Sequence, residues 1–342
     1  MKTSSLTVNQ NRVFWIDFAK VVGIYLMIVG HQNLLSEVLT RVIFSFHMPF
    51  FFIISGLFWH RISFRQTLVK TFRTLILPFF LLTSVWCCYY IVCYLINDIS
   101  LTKIIPYVVG SFISPGKDFF DFRPLCCYLW FLLALAIIKL ICSLFTSEYK
   151  LWEGTIIVSV IGICVSQMGY NLPFALDSAL LAFPFFILGH TLSPYIMRHY
   201  TIYTELIVLC LTLFLTIFLG INNGIVDINK CLYGDSYIIF LVVGLSGSVM
   251  IVTFSRLLSR VFENNLSLVF LLNKISSGLL LVVAFSAMLT GVLRDMFKLL
   301  FPSIETASNL YGILIGVVVL LTYSPVITLV QRYFPAIIGF RK

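Results

Sequence analysis

Charge is what this chain has least of. Of its 342 residues only 11% are Asp, Glu, Lys or Arg, against 60% apolar, and the mean hydropathy is +1.03. A water-soluble domain carries about 25% charged residues, so a soluble fold is excluded and lipid has to solvate much of the surface. Paired cysteines are also lacking. The nine thiols (Cys87, Cys88, Cys93, Cys126, Cys127, Cys142, Cys164, Cys210 and Cys231) form no CxxC and no zinc-like spacing with His. They read as small apolar helix residues, and no metal is expected. The net charge is +9, but no basic stripe with interleaved aromatics accompanies it, so nucleic acid is not expected as a partner. No internal repeat, low-complexity tract or composition shift interrupts residues 1–342, which read as a single transmembrane domain. The matched pair of broken helices that marks an inverted-repeat transporter is absent as well. The first apolar run starts near Val13 and carries Asp17 and Lys20 without a small-residue cleavage site, so it is expected to stay as a membrane helix rather than be cleaved as a signal.

Long apolar runs are what the chain does have. About 20 apolar residues cross the hydrocarbon core as a helix, and ten such runs are present, near 13–31, 42–59, 74–96, 125–145, 154–169, 174–192, 203–221, 236–256, 267–289 and 308–331. The fifth is the shortest. Runs this long exclude an outer-membrane barrel, whose strands are about ten residues long and alternate. The fold class expected is therefore an all-α membrane protein of about ten transmembrane helices. With the N-terminus in the cytoplasm, the inside segments hold thirteen Lys and Arg: Lys2, Arg12, Arg61, Arg65, Lys70, Arg73, Lys150, Arg198, Arg256, Arg260, Arg332, Arg341 and Lys342. The outside segments hold seven: Arg41, Lys103, Lys117, Arg123, Lys230, Arg294 and Lys298. That bias favours an N-in, C-in chain. The longest outside connection, 97–124, contains an apolar stretch from Ile104 to Ile113 ended by Ser114-Pro115-Gly116, and reads as an interfacial or re-entrant piece.

Ionisable groups inside a span are costly and mark function by default. The first span has three. Lys20 and His31 are eleven residues apart, close to three turns and only ~20° of offset; Asp17 lies within ~40° of the same line. The three share one stripe whose length from Lys20 to His31 is ~16 Å, about half the hydrocarbon thickness. A snorkelling Lys20 paired with Asp17, beneath a His31 that closes the outer end, is the plain alternative. One charge near the inner face and one imidazole near the outer face also suit a long anionic donor threaded from the cytoplasm. His47 opens the second span in Phe46-His47-Met48-Pro49. With a first loop over 32–41, it lies at the depth of His31. Ser55 and Gly56, deeper in that span, allow close backbone approach to a substrate or to another helix. Trp130 and Asp177 lie at the outer ends of the fourth and sixth spans, where an interfacial anchor and a helix N-cap are the plain alternatives. His60, His190 and His199 fall on the inner side and receive no catalytic role.

Trp15-Ile16-Asp17-Phe18-Ala19-Lys20, then Gly30-His31, then Phe46-His47-Met48-Pro49-Phe50-Phe51-Phe52-Ile53-Ile54-Ser55-Gly56 resemble the acyltransferase family 3 membrane proteins, with the fucose 4-O-acetylase-like branch the nearer match. Leu129-Trp130-Phe131-Leu132 and the run from Asp177 to Gly189 extend the likeness over roughly residues 1–190. The resemblance implies a ten-helix domain that transfers acyl groups, often acetyl from acetyl-CoA, to surface sugars and polysaccharides. It also implies an essential His31, with Asp17 and Lys20 in the same functional stripe. Two departures stand out. Lys20 replaces the Arg of much of the family, and so offers a point charge rather than a bidentate fork. No His follows Asn273-Lys274-Ile275-Ser276-Ser277, where some members carry one. The expected reaction takes acyl-CoA as co-substrate with no tightly bound cofactor. His31 serves as general base or transient acyl carrier, and His47, Ser55, Gly56, Trp130 and Asp177 contribute to substrate binding. The resemblance also implies a place in the bacterial cytoplasmic membrane; a multi-pass glycan or lipid transporter, or flippase, would use the same buried charges differently. A multi-helix sensor or scaffold would not need His31 at all.

Overall fold

Backbone amides in lipid have no water to bond, so apolar runs of this length close their hydrogen bonds within helices. Helices are nearly all that the computed structural model contains. It describes residues 13–32, 35–98, 100–125, 128–300 and 309–334. Lys2, Arg12, Arg341 and Lys342 of the charge balance, and Cys126 and Cys127, lie outside the described residues.

In chain order the helices are α1 (Phe14–Gly30), α2 (Glu37–Leu57), α3 (Phe64–Thr71) and, after a π-helical turn over Phe72–Ile76, α4 (Leu77–Ile96). Then come α5 (Ile105–Ile113), α6 (Trp130–Cys142), α7 (Glu148–Met168), α8 (Leu176–Thr191), the short α9 (Ser193–Ile196) and α10 (Ile202–Asn222). A two-residue antiparallel hairpin, β1 (Val226–Asp227) with β2 (Leu232–Tyr233), precedes α11 (Tyr237–Phe262), α12 (Leu266–Ser277), α13 (Leu279–Leu300) and α14 (Asn309–Tyr333). Among the described residues, eight helices are long and apolar enough to cross a membrane, and the chain is an all-α, multi-pass membrane protein. α1 has 17 residues and α6 has 13, rises of ~26 and ~20 Å.

The bundle is organised around α2 and α8. α2 packs on α8, α11, α1 and α10. A Cβ on Gly56 would fall 1.9 Å from the Phe186 carbonyl oxygen, and one on Gly189 would fall 2.0 Å from that of Ile53. Small residues here let the two backbones touch, the usual route to tight helix crossings in lipid. Phe50, Phe52, Phe183, Phe185 and Phe186 fill the space around this crossing and are fully buried. The outermost helices show the opposite pattern. α7 presents Ile156, Ile157 and Val160, and α10 presents Leu211, Phe214 and Phe218, all exposed, as suits lipid-facing surfaces.

Several boundaries differ from the sequence expectation. The ninth run, 267–289, is not one helix: it breaks at Gly278 into α12 and α13, and α13 continues to Leu300. α14 presses on the break, where a Cβ at Gly278 would meet the Ile327 side chain at 2.3 Å. The Arg61–Arg73 loop is helical from Phe64, started by a capping box in which Ser63 and Gln66 satisfy each other's backbone amides. The first loop is shorter than 32–41, because the Ser36 hydroxyl accepts from Leu39 N at 3.4 Å and begins α2 at Glu37. The short fifth run becomes a 21-residue helix, capped by Ser147. The long fourth run yields only the 13 residues of α6. Arg256, counted in an inside loop, lies within α11. It is 9% exposed, 3.9 Å from Glu205, with its guanidinium 4.5 Å from the Trp15 ring. The apolar stretch of the 97–124 connection forms α5, as a separate short helix.

Candidate active site

His31 closes α1. Its ring Nδ1 lies 2.9 Å from the Met27 carbonyl oxygen, four residues back. A carbonyl can only accept, so the proton of a neutral ring sits on Nδ1 and Nε2 keeps its lone pair. His47 repeats the arrangement on α2, with Nδ1 2.9 Å from the Ile43 carbonyl, and its buried Nε2 has no partner among the described residues. The two rings meet edge to face with centroids 5.5 Å apart. Phe44 stacks on His31 at 4.9 Å, and Tyr128 meets it edge-on at 5.4 Å. One helix turn in each of α1 and α2 thus fixes the tautomer of an imidazole and turns its basic nitrogen away from its own backbone.

Both histidines line a cavity of about 310 Å³. Its walls are aromatic and aliphatic, from Phe44, Phe51, Tyr128, Trp130, Phe131 and Leu280. Besides the two imidazoles, two loops bring polar groups to it, Gly116 on one and Asp227 to Lys230 of the β1–β2 turn on the other. Lys230 Nζ lies 3.5 Å from Asp227 Oδ2, so the charges at the rim are of both signs and adjacent. His31 also borders a second cavity of about 140 Å³, shared with Gln32, Tyr128, Ser286, Thr290 and Arg294.

Asp177 stands beneath the two loops. Its carboxylate is fully buried, ion-pairs with Lys117, and accepts from the amides of Leu172 at 3.0 Å and Ser178 at 2.7 Å. Asn229 Nδ2 donates to the Gly116 carbonyl at 2.8 Å, and Ser178 Oγ to the Asn229 carbonyl at 3.2 Å. These bonds tie residues 114–117 and 227–231 to the start of α8, so Asp177 carries the roof of the cavity without lining it. Nearby, burial and then the Asp177 charge push the Cys231 thiol up to about 11, which makes a nucleophilic thiolate there scarce at neutral pH.

Lys20 belongs to the other end of α1. Its ammonium lies 5.9 Å from the Phe58 ring centroid and lines a separate cavity of about 310 Å³ with Ser55, His60, Thr67, Lys70 and Lys139. No Asp or Glu is among the residues lining it. Asp17 Oδ1 accepts from Ser276 Oγ on α12 at 2.5 Å. The structure thus brings His31, His47 and Trp130 together, and separately Lys20 with Ser55. It sets Asp17 against α12, directs the close approach of Gly56 to α8, and places Asp177 behind the loops. Sequence reasoning missed Phe44, Tyr128, Gln32, Lys70, Lys139 and the turn over Asp227–Lys230. Tyr128 and Gln32 adjoin quoted motifs, and Lys70 was counted only as an inside charge. The turn carries no local signal because it joins the site through the fold. No cluster of three or more His, Cys, Asp or Glu suited to a metal occurs among the described residues.

Residues 13–329 match a family model described as an acyltransferase domain. No curated protein and no solved structure matches the chain.

Proposed function

The chain belongs to the acyltransferase family 3 membrane proteins, and on that premise we propose that it is an O-acetyltransferase acting from acetyl-CoA, or a close acyl-CoA, on a sugar hydroxyl. The acceptor is a cell-surface polysaccharide or its lipid-linked precursor, as in the fucose 4-O-acetylase-like branch. α1 and α6 join the eight longer helices to give ten crossings, with both termini in the cytoplasm, in the cytoplasmic membrane of a bacterium. The single observation that carries this reading is the two-ended α1: a cavity lined by three lysines at Lys20 and a neutral, aromatic cavity at His31.

The anionic part of the donor rests among Lys20, Lys70 and Lys139, and the thioester reaches His31 along the helix. His31 Nε2 takes the proton from the acceptor hydroxyl as its oxygen attacks the thioester carbonyl carbon. The C–O bond forms, the C–S bond breaks, and the imidazolium returns the proton to the departing thiolate. His47 Nε2 accepts a second hydroxyl of the acceptor and holds it in register. Tyr128, Trp130 and Phe131 offer flat apolar walls to the sugar ring, the usual setting for a few placed polar groups.

The test is release of CoA thiol by the purified chain given acetyl-CoA and envelope glycans, for the wild type and His31→Ala. Release by the wild type that disappears in a folded His31→Ala supports acyl transfer. Glycan movement across vesicles without thiol release overturns it in favour of a transporter.

A further inference from the structure

Acyl transfer builds negative charge on the carbonyl oxygen, and none of the roles assigned so far receives it. The α1 backbone cannot, because His31 sits at the C-terminal end of the helix, where the exposed groups are carbonyls and the helix dipole is negative. On α1 the donor therefore has to be a side chain beside His31.

Gln32 meets that requirement. It is 5% exposed, and both its amide atoms are buried without a hydrogen-bond partner among the described residues. It lines the 140 Å³ cavity that also touches His31. Because neither end of the amide is engaged, a donor N–H is available whichever way the group is turned. Buried polar groups in native proteins are nearly always bonded, and an exception of this kind marks a place that something else fills. Arg294 lines the same cavity from α13 and adds positive charge to it. Its Nε lies 3.5 Å from Asp295 Oδ1, and its side chain is 42% exposed.

We propose that Gln32 is the oxyanion-stabilising residue of this enzyme, and that the small cavity between α1 and α13 receives the acyl carbonyl while the larger one receives the acceptor. The inference rests on the acyltransfer reading above. As the hydroxyl oxygen bonds to the carbonyl carbon, the carbonyl π pair moves onto oxygen and accepts from Gln32 Nε2–H. When the pair returns, the C–S bond breaks, thiolate leaves, and His31 supplies its proton. His31 stands on the wall common to both cavities, as a base that joins the two substrates must.

Gln32→Leu removes the donor at similar volume, and Gln32→Glu keeps the shape but presents only acceptors when ionised. With acetyl-CoA and envelope glycans, kcat and kcat/KM should fall together by roughly 10²–10³ in both variants. KM for acetyl-CoA should stay within about threefold, since the bond forms only as the reaction proceeds. Melting temperature and elution in detergent establish that each variant is folded; should Gln32→Leu fail to fold, Gln32→Glu decides. A folded variant with kcat within about threefold of wild type overturns the role of Gln32 and leaves the acyltransfer reading standing. A wild type that releases no thiol from acetyl-CoA with any envelope glycan removes that reading, and this inference with it.

Discussion

The two ends of α1 face cavities of equal volume and opposite chemistry. At the Lys20 end three lysines, Lys20, Lys70 and Lys139, line the cavity. At the His31 end the walls are aromatic, Asp227 offsets Lys230, and two imidazoles line the cavity. The same helix supplies both ends, eleven residues or ~16 Å apart. A pantetheine arm of about thirteen bonds, at roughly 1.2 Å of extension per bond, spans a similar ~16 Å. Under the proposed function the contrast is a division of labour, with one end assigned to holding the donor and the other to the bond changes. The first should govern KM and the second kcat.

The sharpest break comes at His31. His31→Ala should lower kcat by roughly 10²–10⁴, with KM for acetyl-CoA little changed, read from steady-state thiol release. A rise in KM with kcat preserved would put donor binding at this end and erase the contrast.

Next in size is the support of the His31 end. Asp177→Asn leaves the Lys117 ammonium buried without its counter-charge, and breaking such a pair costs about 3–5 kcal/mol. Thermal unfolding in detergent should show a lower melting temperature than the wild type, and activity should fall through the loosened 114–117 and 227–231 loops. Lys117→Met with Asp177→Asn, which removes both charges and keeps an acceptor oxygen for the amides of Leu172 and Ser178, should recover part of the stability. An Asp177→Asn protein as stable as the wild type would mean that the ion pair does not hold the roof.

The Lys20 end responds differently. Lys139→Met and Lys70→Met should each raise KM for acetyl-CoA by roughly tenfold to a hundredfold, the size of one charge-assisted hydrogen bond, and leave kcat nearly as it was. Lys70 is exposed and Lys139 half-buried, so added salt should weaken the Lys70 contribution first. A fall in kcat without change in KM in either variant would move catalysis to this end.

Part of this geometry is legible in the sequence, and the rest is not for physical reasons. The spacing of Lys20 and His31 states the length of the site, because helical rise is fixed. Asp17 shares that stripe by spacing, and the bond its Oδ1 accepts from Ser276 Oγ on α12 is a long-range contact that no local pattern announces. The break at Gly278 is invisible in an apolar run because lipid-buried helices tolerate glycine, and only the pressure of Ile327 shows why the chain turns there. α3 did carry a signal, the Ser63-x-x-Gln66 box, masked by the stronger expectation of a basic loop. The two cavities are the least legible part. Each draws residues from three or more helices, and Tyr128, Asn229 and Lys139 reach them only through packing.

The smallest effect concerns the acyl group. A cavity of about 150 Å³ admits a guest the size of benzene, and the Gln32 cavity is about 140 Å³. Acetyl and butyryl groups fit such a space, whereas an octanoyl chain leaves several methylenes to find room elsewhere. With room for both, acetyl-CoA and butyryl-CoA should differ in kcat/KM by no more than roughly tenfold, the low end of what a single methylene gives in a tightly fitted apolar pocket, and octanoyl-CoA should fall further behind, measured by competition for one acceptor. Gly291 lines that cavity and has nothing within 4 Å of the position a Cβ would take. Gly291→Val should narrow the range to acetyl while sparing the rate with acetyl-CoA. Octanoyl-CoA used as well as acetyl-CoA would place the acyl tail outside this cavity and leave only its carbonyl at Gln32.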